Sequence, residues 1–546
     1  MKKLVALLVV LVLLFAVVAC GNGNTSSPSP SNSGTSDAGA PAASPSDAGS
    51  SGTEHSRIVS VGSLGKAGQM DPARVSMNIS DVLYNQMNLE ALVTSDHSGR
   101  GYDPMLATSW EHNADATVWT FKLREGVTFH NDAPFDADDV VCTFQYILDL
   151  GDESAAKITN IPTFIGIKKI DQFTVELTFS EPFPLALSGL QSINIFSNEA
   201  FEELGPDVMF LWEHCYGTGA WILNEWIDGE YTSYIKNENY WDKANYDSYY
   251  NEVRLYHIGE PSSLVAAHLA GDIQVYCPAS GMNTDLLGLY DGVLDRVNLV
   301  KVDTGSVDYL TIQCGEGYLG SDENFRKALS YAIDRDLIYE TLHSGNGRGA
   351  VGFFHPQTAT HDPNNTDYRY DPELAKQYLE QSSYDGRTLA FMNRGPVTRL
   401  ENMAVAISDM FAAIGIKSEV FTADAMTYTT RVAESDYDLL MSSAPVSDGM
   451  PTNNYKFIRA DSEHTNFYDQ RMIDLINAYL EELDDATRID LGRQVGNRIT
   501  EIYAPWIAIG SPVSIYAVDK GVIGYDFYPD GVTGVSRIDF DPSLAP

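Results

Sequence analysis

Residues 119–130 read Trp-Thr-Phe-Lys-Leu-Arg-Glu-Gly-Val-Thr-Phe-His, and the pattern of this stretch indicates the class of fold. Apolar side chains at Trp119, Phe121 and Leu123 alternate with polar ones, which is typical of a β-strand with one buried face. The same alternation returns in residues 173–179. The sequence therefore predicts two half-buried strands in this part of the chain.

Helical spacing follows further along. Apolar residues between positions 325 and 333 recur three and four residues apart, which places them on one face of a helix. Asp371-Pro372 predicts a helix start, with the Asp as N-cap and the Pro in the first turn. A third amphipathic stretch, residues 400–414, ends at Gly415, a residue suited to a left-handed C-cap, and a strand-like run over 416–421 follows. Because strands and helices alternate, mixed α/β lobes are predicted.

The composition is that of a large acidic globular protein. The chain has 546 residues, of which 75 are acidic and 35 are basic, so its formal charge is −40. Such a surface repels nucleic acid and anionic lipid headgroups. Apolar residues make up 44% and aromatic residues 11%, which is enough for large packed cores. The roughly 490 residues after position 56 exceed a single hydrophobic core, so two or three lobes are expected.

The first 20 residues have the pattern of an export signal. Two lysines precede an unbroken apolar run, residues 4–19, that ends at Cys20. Sixteen apolar residues are fewer than the roughly 20 that span a bilayer as a helix. Residues 17–20, Val-Val-Ala-Cys, resemble the bacterial lipobox, in which the Cys sulfur is acylated; an ordinary signal peptide that ends in Cys is the alternative. We expect a lipoprotein signal peptide over 1–19 and a lipidated Cys20.

A polar segment of low complexity comes next. Residues 21–56 consist mostly of Gly, Ser, Asn, Pro, Ala, Thr and Asp, a composition that cannot bury a core. We expect 20–56 to form the lipidated Cys and a disordered tether. No later stretch is apolar enough to cross a membrane, so the remainder is expected to be a water-soluble body outside the cell.

Spacing of Cys and His residues predicts no metal site, and no cofactor is expected. The four remaining cysteines have no metal-ligand spacing, and the histidines are scattered. Export permits disulfides, so a Cys277–Cys314 bond is one interpretation and buried thiols are the other. There is no HExxH, GxSxG or Walker A motif, and the glycine-rich residues 345–349 indicate a flexible loop. The four cysteines are Cys142, Cys215, Cys277 and Cys314.

Short motifs occur in a fixed order between about position 70 and position 540. They are Asp71-Pro72, 88–92, 104–110, 119–130, 137–141, 217–221, 237–241, 270–273, 325–335, 371–375 and 414–417. Taken together, this ordered set resembles the family 5 extracellular solute-binding proteins, the oligopeptide-, dipeptide- and nickel-binding family of ABC transporters.

The resemblance implies a periplasmic-binding-protein-like α/β fold with three lobes, of which two main lobes are joined by hinge strands and a smaller lobe is inserted. A solute would lie between lobes I and III and would favour their closed arrangement. The boundaries expected from it are 57–93, 191–304 and 516–546 for lobe I, 94–190 for lobe II and 305–515 for lobe III.

Ligand-binding candidates come from three segments that face the cleft in relatives. The first follows Asp71-Pro72 and offers hydrogen bonds to an extended ligand. The second carries arginines that are suited to a carboxylate. In the third, peptide-binding relatives have an acidic residue for the peptide amine, and this chain departs from their pattern. The candidates are Arg74, Ser76, Met77 and Asn78; Asn393, Arg394 and Arg399; and Ser447 and Asp448.

These patterns together predict a solute-binding lipoprotein of an ABC importer on the extracytoplasmic face of the cell membrane, monomeric and without a nucleic-acid partner. It would capture a peptide or peptide-like solute and deliver it to the permease subunits. Within the same class, an opine, an oligosaccharide or a chelated metal is the alternative solute. From other classes, a secreted hydrolase and a surface sensor or chaperone-like lipoprotein are the alternative functions, although the catalytic motifs of a hydrolase are missing.

Overall fold

The computed structural model describes residues 57–65, 70–74, 79–96, 101–278, 281–303, 305–365, 369–395, 398–445, 465–527 and 533–544. All of them belong to one compact unit, Ser56–Pro546. The predicted signal peptide, Cys20 and the whole predicted tether to residue 56 lie outside the described residues.

Helices occur along the whole described chain, and several begin at an acidic N-cap. Asp136 starts one with a capping box, in which its side chain accepts from the amide of Asp138 while Asp139 accepts from the amide of Asp136. The α-helices are α1 Ile79–Asn88, α2 Ala137–Leu150, α3 Ala155–Thr159, α4 Ala186–Leu190, α5 Asn198–Leu204, α6 Pro206–Met209, α7 Pro261–Ala270, α8 Glu323–Ala332, α9 Arg335–Thr341, α10 Pro372–Glu380, α11 Thr398–Ala413, α12 Ala425–Ala433, α13 Gln470–Glu481 and α14 Asp485–Glu501. Short 3₁₀ helices cover Gly151–Glu153, Trp212–His214, Thr284–Tyr290, Leu319–Ser321 and Pro542–Leu544.

The strands range from two to fourteen residues. They are β1 Ile58–Ser63, β2 Glu90–Ala91, β3 Val93–Ser95, β4 Tyr102–Pro104, β5 Ala107–His112, β6 Val118–Leu123, β7 Phe164–Asp171, β8 Thr174–Phe179, β9 Asn194–Ile195, β10 Trp221–Ile227, β11 Tyr231–Lys236, β12 Glu252–His257, β13 Val275–Tyr276, β14 Val297–Asp303, β15 Ser306–Ile312, β16 Gly347–Gly349, β17 Thr388–Arg394, β18 Lys417–Ala423, β19 Leu439–Pro445, β20 Trp506–Asp519, β21 Val522–Ile523, β22 Asp526–Phe527, β23 Thr533–Gly534 and β24 Asp539–Phe540.

One sheet of twelve strands dominates the topology. Its order is β10-β11-β12-β1-β13-β20-β15-β19-β17-β18, and β14 and β16 also pair with β20. We call β10 to β14 with β1 the first half of the sheet and β15 to β19 the second half. The antiparallel sheet β5-β6-β8-β7 is separate from both. How the chain divides into lobes at 57–93, 94–190, 191–304, 305–515 and 516–546 stays a prediction.

Strand β20 is the element that the two halves share. Residues 513–519 pair with β14, and residues 506–510 pair with β15. Pro512 lies between these two sets of partners and pairs with Gly347 of β16. The two halves therefore meet along a single continuous strand.

The predicted elements are confirmed, and with them the mixed α/β class. Trp119, Phe121 and Leu123 are 4% exposed or less and lie in the core of the four-stranded sheet. Asp371 caps α10 by accepting from the amide of Leu374. Gly415, just past α11, has φ +97°, as a left-handed C-cap requires.

The flexible loop predicted over 345–349 is wrong, because Gly347–Gly349 forms strand β16 on β20. A side-chain carbon on Gly347 would lie 2.4 Å from the ring of Tyr339 and 2.7 Å from the carbonyl oxygen of Ser511. The glycine is thus required by close packing rather than by loop flexibility.

The described cysteines form no disulfide bond, so the proposed Cys277–Cys314 pair is not present and the thiol interpretation holds. Burial raises the pKa of the Cys314 thiol to about 12, which makes it a poor nucleophile. Among the described residues, no helix is long and apolar enough to cross a membrane.

A buried carboxylate connects three distant segments. Glu90, 5% exposed, accepts hydrogen bonds from Thr218 Oγ1 at 2.8 Å, Tyr240 Oη at 2.9 Å and Trp241 Nε1 at 2.8 Å. Burial raises the pKa of Glu90, although all three hydrogen bonds oppose that shift. The carboxylate holds strand β2 against the segment that follows β11.

Glu90→Ala should destabilise the protein by about 3–5 kcal/mol, because three buried donors lose their acceptor. Glu90→Gln should keep most of the stability, because the amide oxygen can still accept from Trp241 and Thr218. The Tyr240 hydroxyl can rotate to accept from the amide nitrogen. Calorimetric unfolding of the three proteins measures this, and equal melting temperatures for the Ala and Gln variants would contradict it.

Candidate functional site

A cavity of about 60 Å³ lies where β20 passes from one half of the sheet to the other. Its walls come from both halves, and the hydroxyl of Thr284 donates to the carbonyl of Leu342 across them at 3.0 Å. We call it the hinge cavity. Its lining residues are Leu64, Pro261, Tyr276, Gly281, Met282, Asn283, Thr284, Asp285, Leu342, His343, Arg399, Asn402, Pro512, Val513 and Ser514.

Arg399 is the cationic residue of this wall. It lies in the first turn of α11, directly after β17, and only 19% of its side chain is exposed. The guanidinium donates to Asp308 Oδ2, and its second terminal nitrogen is 3.5 Å from Ser443 Oγ. Burial lowers the pKa of Arg399, but the charge of Asp308, the neighbouring Tyr339 and the hydrogen bond to Asp308 together outweigh that effect, and the pKa is raised overall. Arg399 is therefore a permanent cation.

Asp308 in turn is held by a tyrosine. The hydroxyl of Tyr339, on α9, donates to Asp308 Oδ2 at 2.7 Å, and both residues are buried. Burial, then the neighbouring Asp308, raises the pKa of Tyr339, so its hydroxyl stays protonated and continues to donate. Tyr339 and Arg399 together fix the position of the carboxylate.

The strand register places further polar side chains on the face of the sheet that carries Asp308. Asp308 lies opposite Ser443, and Leu310, two residues on, lies opposite Met441, which also pairs with Asn393. Directly paired residues, and residues two apart on a strand, share a face. Asp308, Ser443 and Asn393 therefore lie on one face, near the carboxyl end of β17, where ligands commonly bind in open α/β sheets.

Two of these groups have unused hydrogen-bonding capacity. Asn393 is 0% exposed, and neither atom of its amide has a hydrogen-bond partner among the described residues. Oδ1 of Asp308 is likewise unpartnered there. Since buried polar groups are normally satisfied, an unsatisfied cluster beside a cation is typical of a binding site.

The wall of the hinge cavity also contains two neutral polar residues, His343 and Tyr276. His343 is 4% exposed, and its ring lies 4.8 Å from that of Tyr339. Burial, together with the charge of Arg399, lowers the pKa of His343 to about 4, so the imidazole is neutral at pH 7. Tyr276, at the end of β13, is 0% exposed.

The structure places the nine predicted ligand-binding residues in different parts of the protein. Arg399 lines the hinge cavity and Asn393 lies on the adjoining face, whereas Arg74 is drawn into ion pairs with Asp71 at 3.2 Å and Glu153 at 3.3 Å, away from that wall. The side chain of Arg394 and all of Ser76, Met77, Asn78, Ser447 and Asp448 lie outside what the structure describes. The ligand roles of all nine residues stay predictions.

Sequence patterns missed Asp308, Tyr339, His343 and Tyr276. Asp308 did carry a signal, since it is a carboxylate inside an apolar strand next to Val307 and Leu310. The other three are ordinary in sequence, and only the fold brings them together.

A cavity between two halves of a sheet that share one strand is an arrangement typical of proteins that bind a small molecule between lobes. Residues 101–466 match the model for bacterial extracellular solute-binding proteins, family 5. The chain belongs to this family, which confirms the resemblance drawn from the short motifs.

Similar proteins cover nearly all of the chain. Heme-binding protein A of Haemophilus influenzae is 25% identical over 86% of this chain and 90% of its own length. The dipeptide-binding protein of Escherichia coli is 26% identical over 78% of this chain and 84% of its own. A solved Pseudoalteromonas dipeptide-binding protein in complex with Met-Leu superposes with a TM-score of 0.77 at 19% identity, covering 89% of this chain and 100% of that one. The periplasmic-binding-protein-like fold is thereby confirmed.

Asp308→Ala should cost about 3–5 kcal/mol of stability, because the buried Arg399 is left without its counter-charge. The double variant Asp308→Ala/Arg399→Met should recover most of this loss, since no buried charge remains. Chemical unfolding midpoints of the wild type, both single variants and the double variant test the pair. A double variant less stable than Asp308→Ala alone would contradict it.

Proposed function

We propose that this chain is an extracytoplasmic lipoprotein of an ABC importer that captures a peptide or peptide-like solute in an interlobe cleft, of which the hinge cavity is one part, and delivers it to the permease. The observation that carries the proposal is the buried, permanently charged Arg399 in the cavity wall, which contacts Asp308 and Ser443 on the sheet face that also carries the unsatisfied amide of Asn393. A carboxylate and a neighbouring amide, as at a peptide's carboxyl end, match these groups chemically.

The guanidinium of Arg399 has N–H groups left with which it could bind a solute. Its contacts with Asp308 and Ser443 use two of the five N–H groups of a guanidinium. Asp308 compensates the positive charge of Arg399, which lowers the free-energy cost of burying the guanidinium. The other N–H groups of Arg399 are then available to a carboxylate of the solute. The Asp308–Tyr339 contact keeps the guanidinium oriented before the solute arrives.

The named relatives support a small-molecule solute but differ in its identity, since their names cite heme and dipeptides. Among the described residues, no group of three or more His, Cys, Asp or Glu side chains is placed to hold a metal ion. An oligosaccharide offers a weaker match, because it lacks a carboxylate for Arg399, whereas an opine carries one and stays an alternative solute.

Capture would work by selection of a closed arrangement. A solute that touches both walls of the hinge cavity binds best when the walls are close, so it shifts the population toward that arrangement. The continuous strand β20 and the β14–β15 connection would be the elements that bend. The closed form would then be what the permease recognises, and one copy suffices for this role.

A mixed library of di- and tripeptides, analysed by native mass spectrometry, tests the function. We expect the wild type to retain peptides with a free carboxyl terminus over their C-terminal amides. Arg399→Lys should reduce this preference by about tenfold or more, because Lys keeps the charge but loses the two-pronged geometry. Retention of no peptide by the wild type would refute a peptide solute, and an unchanged preference in the variant would refute the role of Arg399. A peptide that disappears as its fragments accumulate would indicate a hydrolase instead.

We further propose that Cys20 carries the lipid, which fixes the protein to the outer face of the membrane. Cys20→Ala should move the protein from the membrane fraction to the soluble extracytoplasmic fraction, because it removes the acyl chains. Cys142→Ala, a change in the folded body, is the control and should stay membrane-bound. Retention of the Cys20 variant in membranes after a carbonate wash would contradict the proposal.

A further inference from the structure

Tyr276 carries a hydroxyl that the fold does not use. The residue pairs with Gly62 of β1 and Ala517 of β20 in the first half of the sheet, and it is 0% exposed. It lines the hinge cavity, and its hydroxyl oxygen has no hydrogen-bond partner among the described residues. Burial of a hydroxyl without a partner costs stability, so its retention calls for another reason.

His343 presents a matching group from the second half. It follows α9, lines the same cavity, and its Nε2 has no partner among the described residues. The charged groups that act on it are Arg399 and Asp308, and burial dominates both in keeping the ring neutral. A neutral imidazole has one donor and one acceptor, as a tyrosine hydroxyl does.

We propose that Tyr276 and His343 bind one uncharged hydrogen-bonding group of the solute, an amide or a hydroxyl, from opposite halves of the sheet. This rests on the proposed function and adds a second specificity contact to Arg399. Neither side chain offers a net charge, so the pair favours a neutral polar group over an ammonium or a second carboxylate. Because the two residues belong to different halves, a group that touches both is held only when the halves are close.

Tyr276→Phe removes only the hydroxyl and tests the first contact. Capture of the di- and tripeptide library by native mass spectrometry should fall about three- to tenfold, the effect of one neutral hydrogen bond. The melting temperature of the solute-free variant should be equal to or above that of the wild type, because no protein hydrogen bond is lost.

Tyr290→Phe is the matched control. Tyr290 is equally buried in the same core, but its hydroxyl is 3.0 Å from His268 Nδ1 and it does not line the cavity. This variant should lose thermal stability and keep wild-type capture, the reverse of Tyr276→Phe. If Tyr276→Phe lost stability without losing capture, its hydroxyl would be structural and the proposal would be wrong.

His343→Phe keeps the ring against Tyr339 and should weaken capture to a similar degree. If both residues bind one group, the double variant with Tyr276→Phe should lose less than the product of the two single effects. A full product would mean separate contacts and would overturn the shared group.

The set of peptides whose capture falls in the variants shows which part of the peptide carries the hydrogen-bonding group. A uniform loss indicates a backbone amide, whereas a loss confined to Ser, Thr, Asn or Gln peptides indicates a side chain. Wild-type capture with no loss in either single variant overturns this inference alone. No capture by the wild type overturns it together with the peptide proposal.

Discussion

Strand β20 is the constraint on which the rest of the structure depends. Its fourteen residues complete hydrogen-bond ladders in both halves of the large sheet, and most of its side chains are buried. A shift of one residue would turn its buried side chains to the wrong face in both halves at once. The strand therefore sets one register for the whole sheet and places the cavity where its partners change, next to Pro512.

The buried side chains near the hinge cavity differ in polarity from those in the hydrophobic cores. Around Trp119 or Trp506, apolar side chains pack against each other. At the hinge, Asp308, Asn393 and Tyr276 keep buried polar atoms without partners in the described protein. Such atoms lower stability, and the surrounding sheet is large enough to tolerate them. A rigid frame around an unsatisfied polar surface is what selective binding of a polar molecule needs.

Local patterns in the sequence predicted much of the frame. The strands around Phe121 and Val175, the cap at Asp371 and the left-handed Gly415 all follow from period, capping or backbone preference, which act over a few residues. Arg399 was also predicted, because its segment faces the cleft in relatives and its guanidinium suits a carboxylate. Gly347 was misread because a neighbouring ring, Tyr339, leaves no room for a side chain there, and a packing contact of this kind has no signal in the local sequence.

The sequence by itself determined the class of fold, the order of the elements and the family, because periodicity and ordered motifs are properties of neighbouring residues. Only the tertiary structure decided the site. Asp308 meets Tyr339 across 31 residues and Arg399 across 91, and Tyr276 and His343 reach one cavity from opposite halves of the sheet. Strand order and register decide which residues become neighbours, and burial beside a specific neighbour is what makes an ordinary Asp, Tyr or His a candidate binding group.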